Sequence, residues 1–318
     1  MPGHERIAVI GLGHVGATAA YALMLRALAS EIVLVDNASQ RAAAEAQDIT
    51  DANALARPTK IWAGDYADAA AADVAVITAG VATHGAQSRL SVAMRSAEIV
   101  QACIADLCSS GFAGILLIAS NPVDLMTRVA VECSGLPIGR VLGTGTLLDT
   151  NRLRAAIAAK LGVASADVDA LVLGEHGDSG VALFSQARVG GLPLDSFSEE
   201  ARTLDRAGVA ASVRDAAYQI IAGKGFTSFG VATAIVRICE AIIRDEGVVL
   251  PVSSALWDVA EYRNVCLSMP CILSAAGIER ALVPSMTAEE AQGLAVSAKQ
   301  LDGAYLQMLA DADNAKAP

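Results

Sequence analysis

Residues 6–16 of the chain, RIAVIGLGHVG, decide its fold. The first five residues are mostly apolar and predict a buried strand, and the glycines that follow predict a tight turn. Good helix formers over residues 17–29 predict a helix, and residues 31–35, EIVLV, predict a second strand that ends at Asp36. A strand, a helix and a second strand in this order predict a βαβ unit with parallel strands.

The turn has the pattern GxGxxG, and each of its three glycines has a separate task. Gly11 makes the turn, Gly13 lets a pyrophosphate approach the backbone, and Gly16 lets the helix pack closely on the strand. His14 and Val15 lie where the helix begins, and the free N–H groups of a helix N-terminus attract phosphates. The turn therefore predicts a dinucleotide site.

Asp36 follows the last glycine by 20 residues, a spacing at which a carboxylate binds the ribose hydroxyls of a dinucleotide. The alternative is a glycine turn without a ligand, which explains neither the position nor the spacing of Asp36. Its negative charge would repel a 2′-phosphate, and residues 37–39 include no arginine that could bind one. NAD is therefore favoured over NADP, whereas FAD, which shares the glycine pattern, stays open at this point.

Further strands are predicted at 60–63, 73–79, 114–119 and 140–143, separated by helical stretches, of which the clearest is 91–109. Alternating strands and helices predict a parallel sheet covered on both faces, with its ligand crevice at the carboxyl ends of the strands. The fold class is therefore α/β, with a doubly wound Rossmann sheet in an NAD-binding domain over residues 1–145.

The pattern changes after residue 145. Helices are predicted at 149–161, 198–222, 227–244 and 287–310, strand-like pieces at 168–173 and 181–189, and a hairpin-like region at 248–275. This order predicts a mixed α+β substrate domain over residues 146–318.

The composition argues against several classes of protein. The formal net charge is −11 and the acidic residues are dispersed, so the surface would repel nucleic acid and anionic membranes. Apolar runs such as 115–119 are too short for a membrane helix, and residues 1–6 show no basic region leading into a signal-type apolar core. The six cysteines form no CxxC pair and no Cys/His cluster, so we expect reduced thiols, no bound metal and a cytoplasmic location.

A second set of candidate residues carries chemistry. His176 follows an apolar strand in the segment GEHGD, residues 174–178, where acid–base catalysis and a hydrogen-bonded structural role are equally good explanations. Asp149 and Arg152 are three residues apart at the start of a helix and share a face, and Arg89 lies in a loop after a strand. Taken separately, a helix-dipole aspartate and two solvated arginines are the better explanations.

Together these residues resemble the L-lactate and malate dehydrogenase family, and the resemblance extends from Ile7 to about Leu309. It implies an NAD-dependent enzyme that interconverts a small 2-oxo acid and its 2-hydroxy acid. Because seven motifs match in order, the resemblance is highly specific. The motifs are GLGHVG at 11–16, TAG at 78–80, SRL at 88–90, NPVD at 121–124, LDTNR at 148–152, GEHGD at 174–178 and KGFT at 224–227.

The resemblance implies a role for each candidate side chain. His176 would exchange a proton with the substrate oxygen, and Asp149 would accept a hydrogen bond from the other ring nitrogen. Arg152 would bind the substrate carboxylate through a bidentate contact. Arg89, at the end of a mobile loop over 81–90, would close over the substrate and polarise its carbonyl group.

The resemblance also implies the rest of the pocket. Thr78, Ala79 and Gly80 would join the cofactor site, Asn121 would hydrogen-bond the substrate or the nicotinamide region, and Thr227 would line the substrate pocket. The expected partners are a small 2-oxo or 2-hydroxy acid and further copies of the chain, since members of this family are usually homodimers or homotetramers.

One position departs from the family. The residue that reads the substrate side chain lies six positions before the loop arginine and is Gln in typical lactate enzymes and Arg in typical malate enzymes, but here it is Thr83. A threonine cannot pair with a second carboxylate, which disfavours malate and oxaloacetate unless neighbouring His84 acts as a cation. Threonine is also smaller than glutamine, so we expect branched or aromatic 2-oxo acids to be accepted alongside or instead of pyruvate.

A second departure concerns regulation. Some bacterial lactate dehydrogenases are activated by fructose 1,6-bisphosphate through an arginine and a histidine at a subunit interface. Arg154 matches the arginine, but Asp169 occupies the histidine position and would repel phosphate. We therefore expect no such activation.

Three alternatives stay open. The first is a malate dehydrogenase with an atypical specificity loop. The second, from another class, is a catalytically silent NAD-binding sensor or structural protein, which would not need a proton carrier at His176. The third is an NAD- and metal-dependent glycosidase with a related fold, against which the lack of a Cys/His cluster argues.

Overall fold

The computed structural model describes residues 5–56, 59–81, 89–256, 259 and 262–316, without the side chains of 89–91 and 313–316. Thr83 and His84 lie outside the described residues. The dominant feature of the described residues is a sheet of nine strands. Its six parallel strands are β1 (Arg6–Ile10), β2 (Glu31–Val35), β3 (Lys60–Ala63), β4 (Val74–Ile77), β5 (Ile115–Ile118) and β6 (Val141–Gly143).

The predicted Rossmann sheet is confirmed, because the six parallel strands run in the spatial order 3-2-1-4-5-6. Residues 7–10, 74–77 and 115–118 are at most 4% exposed, as expected for strands covered on both faces. Helices connect the strands and supply the covering layers. They are α1 (His14–Arg26), α2 (Ser39–Asn53), α3 (Tyr66–Ala70), α4 (Arg89–Ser109) and α5 (Val123–Ser134), followed by a 3-10 turn at Ile138–Arg140.

The first helix begins and ends three residues earlier than the sequence predicts. Gly13 is its N-cap, so the last glycine of the turn, Gly16, already lies inside the helix. The helix ends because Ala27 adopts a left-handed conformation (φ 47°) and its N–H bonds back to carbonyl groups of the last turn. The helix N-terminus therefore stands directly beside the glycine turn.

The second half of the chain extends the same sheet. The predicted hairpin consists of β12 (Val248–Ala255) and β13 (Cys266–Ser274), which pair in antiparallel register, and β14 (Gly277–Ala281) follows at the edge. Strand β12 joins the parallel part through the partners Ser253 and Gly143 of β6. The sheet is thus continuous across residue 145, where the sequence pattern changes.

The remaining elements of the second half pack on this extended sheet or around a second, smaller core. That core includes Leu153, Val168, Val189 and Val213. The elements are α6 (Leu147–Leu161), β7 (Val168–Asp169), β8 (Val172–Leu173), β9 (Val181–Ala182), β10 (Arg188–Val189), β11 (Leu192–Pro193), α7 (Leu194–Phe197), α8 (Glu199–Arg202), α9 (Arg206–Lys224), α10 (Phe229–Ile243) and α11 (Ala288–Lys316), with 3-10 turns at Ser165–Asp167 and Phe184–Gln186.

The single helix predicted over 198–222 is interrupted. A short helix α8 ends before Thr203, and α9 begins again after Asp205, whose side chain accepts a hydrogen bond of 2.9 Å from the backbone N–H of Gly208. An aspartate in this position is a strong helix N-cap, so a local hydrogen bond starts a new helix where the residue pattern predicts continuity. Across the ranges that the structure describes, no helix is long and apolar enough to cross a membrane.

Candidate active site

The candidate residues of the first half meet at the carboxyl ends of the parallel strands. The glycine turn follows β1, Asp36 follows β2, residues 78–80 follow β4, and Asn121 follows β5. Strands β1 and β4 are neighbours at the point where the chain reverses its direction of winding through the sheet. This point is the usual ligand crevice of a doubly wound sheet.

The glycine turn is tightly packed on one side and open on the other. A Cβ atom added to Gly11 (φ 94°) would come within 2.5 Å of the backbone nitrogen of Ala79, and one added to Gly16 would collide with the carbonyl oxygen of Gly11. Thr78 Oγ1 donates a hydrogen bond of 2.5 Å to that same carbonyl oxygen. A Cβ atom on Gly13, by contrast, would meet nothing within 4 Å. Open space beside a helix N-terminus fits a pyrophosphate group.

Asp36 is held in place by two backbone N–H groups. Its Oδ2 accepts a hydrogen bond of 2.7 Å from the N–H of Leu12, and its Oδ1 accepts one of 2.9 Å from the N–H of Ala38. The carboxylate therefore sits at the rim of the glycine turn in a fixed orientation. Its remaining lone pairs can accept from ribose hydroxyls, so these residues fit a dinucleotide.

The candidate proton carrier is paired with a carboxylate. The loop between β8 and β9 presents His176, whose Nδ1 lies 2.5 Å from Oδ2 of Asp149 on α6. The side chain of His176 is 24% exposed and that of Asp149 is 12% exposed. This contact fixes the imidazole orientation and leaves Nε2, on the opposite side of the ring, as the atom that can exchange a proton.

The same carboxylate also contacts the candidate substrate-binding arginine. Nη1 of Arg152 lies 3.0 Å from Oδ1 of Asp149, one turn along α6, and the guanidinium side chain is 16% exposed. The proton carrier and a cation that can bind a substrate carboxylate are therefore joined through the two oxygens of Asp149. The sequence predicts these three residues as a set, and the structure brings them together.

The pKa of His176 is raised above its ordinary value of 6.5. Burial is the largest single influence and lowers the pKa, but it is outweighed by the charge of Asp149, by the hydrogen bond to that carboxylate, and by the charge of Asp124. Arg152 acts in the opposite direction. The net effect favours the imidazolium form, which suits a proton donor.

Two contacts that hold the histidine loop do not follow from the sequence pattern. The N–H of His176 donates a hydrogen bond of 2.8 Å to Oδ2 of Asp124 on α5, and the N–H of Glu175 donates one of 2.9 Å to Ser297 Oγ on α11. These partners are 52 and 122 residues away in the chain. Asp124 lies inside the NPVD motif, which is the one signal in the sequence that could have identified it.

The remaining predicted residues lie on other elements of the fold. Arg89 is the first residue of α4, and its side chain lies outside the described part of the chain. Asn121 is exposed at the end of β5, and Thr227 is partly buried between α9 and α10. His14 in the glycine turn stacks on Phe226, with ring centroids 3.7 Å apart and an interplanar angle of 7°. The stack joins the glycine turn to the loop that contains Thr227.

Metal-ligating side chains do not cluster in the part of the chain that the structure describes. No group of three or more His, Cys, Asp or Glu side chains that could hold a metal ion is found there. All six cysteines are free thiols.

Two family models match almost the whole chain. The model described as lactate/malate dehydrogenase, NAD binding domain, matches residues 5–143. The model described as lactate/malate dehydrogenase, alpha/beta C-terminal domain, matches residues 146–310. The two matched segments are contiguous except for residues 144 and 145, and they have the order of the two halves seen in the fold.

Individual proteins are similar over the same length. The L-lactate dehydrogenase of Thermus aquaticus is 43% identical over 303 residues, which cover 94% of this chain and 98% of the relative. That of Priestia megaterium is 40% identical over 303 residues, covering 94% of this chain and 95% of the relative. A solved lactate dehydrogenase from a Medee basin deep-sea metagenome library has a TM-score of 0.91 at 38% identity, covering 96% of this chain and 99% of that one.

Proposed function

The chain belongs to the lactate/malate dehydrogenase family, and from this premise we propose that His176 is the proton carrier of its reaction. The protein is an NAD-dependent oxidoreductase that acts on the CH–OH group of a lactate-type 2-hydroxy acid. The observation that carries the proposal is the carboxylate of Asp149, which contacts His176 with one oxygen and Arg152 with the other.

Reduction of a 2-oxo acid needs a hydride at carbon and a proton at oxygen. NADH bound at the glycine turn would supply the hydride. The protonated ring of His176 would donate its Nε2 proton to the oxygen, and the neutral ring would take the proton back in the direction of oxidation. Asp149 accepts from Nδ1 and stabilises the positive charge, so that one tautomer and one ring orientation serve both directions.

The substrate carboxylate would bind to Arg152. Its guanidinium group can offer two parallel N–H donors to a carboxylate, which fixes both the position and the face of the carbonyl group. Arg89 would approach the carbonyl oxygen from the start of α4 and stabilise the negative charge that develops there. Asn121 and Thr227 would complete the pocket on the cofactor side and on the side of α10.

The substrate proposed here is a 2-oxo monocarboxylic acid, either pyruvate or a bulkier analogue. Thr83 offers no cation for a second carboxylate, so we expect kcat/KM for oxaloacetate to be about 10²-fold or more below that for the best monocarboxylic acid. The measurement is NADH oxidation with pyruvate, 2-oxoisocaproate, phenylpyruvate and oxaloacetate. The Thr83→Arg variant is the matched control, because it adds the missing cation and should raise kcat/KM for oxaloacetate. If oxaloacetate were the best substrate of the unmodified protein, the monocarboxylic assignment would be wrong.

The cofactor proposed here is NAD rather than NADP, because the carboxylate of Asp36 is held at the rim of the glycine turn and its negative charge would repel a 2′-phosphate. We expect kcat/KM to be higher with NADH than with NADPH. The Asp36→Asn variant removes the charge and keeps an oxygen acceptor for Leu12, so the preference for NADH should fall about tenfold or more, a change of about 1.4 kcal/mol. Equal use of both cofactors by the unmodified protein would contradict the assignment.

We also expect no activation by fructose 1,6-bisphosphate. Nη2 of Arg154 lies 3.1 Å from Oδ1 of Asp169, and Nε bonds the carbonyl oxygen of Ala170. The arginine is therefore engaged by an acidic partner that a phosphate would have to displace. The test compares initial rates at subsaturating substrate with and without millimolar sugar bisphosphate, with sulfate at matched ionic strength as the control. An increase of about tenfold or more, which corresponds to a coupling free energy of at least about 1.4 kcal/mol, would contradict this expectation. The expected homo-oligomer and the cytoplasmic location stay predictions.

A further inference from the structure

A second carboxylate lies behind the proton carrier. Asp124 is the second residue of α5 and is 2% exposed. Its Oδ2 accepts a hydrogen bond of 2.8 Å from the backbone N–H of His176. The ring and the backbone of the same histidine are thus bonded to two different carboxylates, Asp149 on α6 and Asp124 on α5.

Asp124 has no cationic side chain paired with it among the described residues, which is unusual for a buried carboxylate. Burial raises its pKa to about 6, while the Ser253 hydroxyl beside it, the N–H of His176 and the charge of the imidazolium lower it. A carboxyl with this pKa is mostly ionised at neutral pH. The positive charge that favours ionisation of Asp124 is that of the His176 ring.

The other charged or titratable groups around this pair come from three elements. Asp149 and Arg152 face His176 from α6, with opposite effects on the imidazolium. Glu175, from the histidine loop itself, disfavours ionisation of Asp124. Cys266, at the start of β13, stays a neutral thiol because burial and then the charge of Asp124 raise its pKa.

We propose that Asp124 is a positioning residue for His176, whose buried carboxylate holds the loop through its backbone and stabilises the imidazolium ring by its charge. This inference rests on the proposed function, because it adds a second support to the proton carrier named there. Asp149 alone is an incomplete support, since its other oxygen is bonded to Arg152, whose positive charge opposes protonation of the ring. The charge of Asp124 offsets part of that opposition.

A neutral group would be sufficient if the only task were to hold the loop. The same loop shows this one residue earlier, where the N–H of Glu175 donates to the hydroxyl of Ser297, a buried and uncharged acceptor. A buried carboxylate costs more free energy than a hydroxyl group, and the helix dipole, which favours a negative charge in the first turn of α5, offsets only part of that cost. Its charge is therefore best explained by its effect on the proton carrier.

The test is the pKa of His176 in the full-length protein, measured by NMR on histidine side chains. The chain has four histidines, so the His176→Asn variant assigns the signal. The Asp124→Asn variant keeps an oxygen acceptor for the N–H but loses the charge, and we expect the pKa of His176 to fall by about 0.5 to 1 unit. The apparent pKa in the pH dependence of kcat/KM should decrease by the same amount, both for reduction and for oxidation.

The Ser297→Ala variant is the matched control, because it removes a neutral anchor of the same loop. We expect the pKa of His176 to stay unchanged in this variant, whatever happens to kcat. The inference is overturned if Asp124→Asn lowers kcat without moving the pKa of His176, or if Ser297→Ala moves that pKa equally.

A measurement on the unmodified protein covers the case in which Asp124→Asn does not fold. The carboxyl carbon of Asp124, followed by NMR, should report an ionised group at neutral pH that becomes protonated in mild acid. A carboxyl that stays protonated through neutral pH overturns the inference. Both NMR titrations can be measured without turnover of substrate. If the protein did not reduce 2-oxo acids, the proposed function would be contradicted, whereas the titrations would still decide whether Asp124 supports His176.

Discussion

The His176→Asn variant should lose about 10²- to 10⁴-fold in kcat for reduction of its best 2-oxo acid while it still binds NADH. The substitution removes the side chain that we propose as the proton carrier, whose Nδ1 is held by Asp149 and whose Nε2 can exchange a proton with the substrate oxygen. The glycine turn and Asp36 are on a different set of strand ends, so the cofactor site stays intact. Steady-state rates and NADH fluorescence titration measure the two effects.

The Asp149→Asn variant is the companion measurement. It keeps a side chain of the same shape beside Nδ1 of His176 but removes the charge that favours the imidazolium. We expect a loss of kcat for this variant too, together with weaker binding of substrate through Arg152. If NADH oxidation by His176→Asn were unchanged, the proton carrier would be misassigned and a dinucleotide-binding protein without this chemistry would become the better explanation.

The second large effect is expected for Arg152→Lys. Lysine keeps the charge but offers a single ammonium group in place of two parallel N–H donors, so the substrate carboxylate loses its fixed orientation. We expect kcat/KM to fall about 10²-fold or more, with both a higher KM and a lower kcat, because a misplaced carbonyl reacts slowly. The cofactor KM should change little.

Arg154→Lys is the matched control for this prediction. Arg154 lies on the same helix, two residues further on, and its side chain contacts Asp169 and the carbonyl oxygen of Ala170. The same substitution there should leave kcat/KM nearly unchanged. Equal losses at the two positions would mean that the effect on Arg152 comes from the helix and not from the substrate carboxylate.

The local pattern of the sequence predicts the parallel half of the fold well. Strands 6–10 and 31–35 are found where apolar residues predict them, because strands covered on both faces are continuous apolar runs. The extension of the sheet into the second half is not predicted, since it depends on the pairing of Ser253 with Gly143 across a long stretch of chain. A helix N-cap at Asp205 likewise overrides a continuous helical pattern.

The residues of the candidate site that lie in a recognisable sequence motif could be predicted from the sequence. The turn at 11–16 and the set of His176, Asp149 and Arg152 are in this class. The support behind the histidine could not be predicted, because nothing in the local pattern shows that Asp124 and Ser297 approach the same loop from two distant helices. Long-range contacts between buried polar groups depend on packing, which a single sequence does not display.

The most direct test of the account is the pH dependence of kcat/KM measured in both directions on one substrate pair. Because reduction needs the protonated ring, the rate should fall as the pH rises through the pKa of His176. Because oxidation needs the neutral ring, its rate should fall as the pH drops through the same pKa. We expect two opposite limbs with apparent pKa values above the ordinary 6.5, and the loss of both in His176→Asn. The assignment of His176 as the proton carrier would be contradicted if kcat/KM changed with pH in the same direction for reduction and oxidation. It would also be contradicted if the pH dependence persisted in His176→Asn.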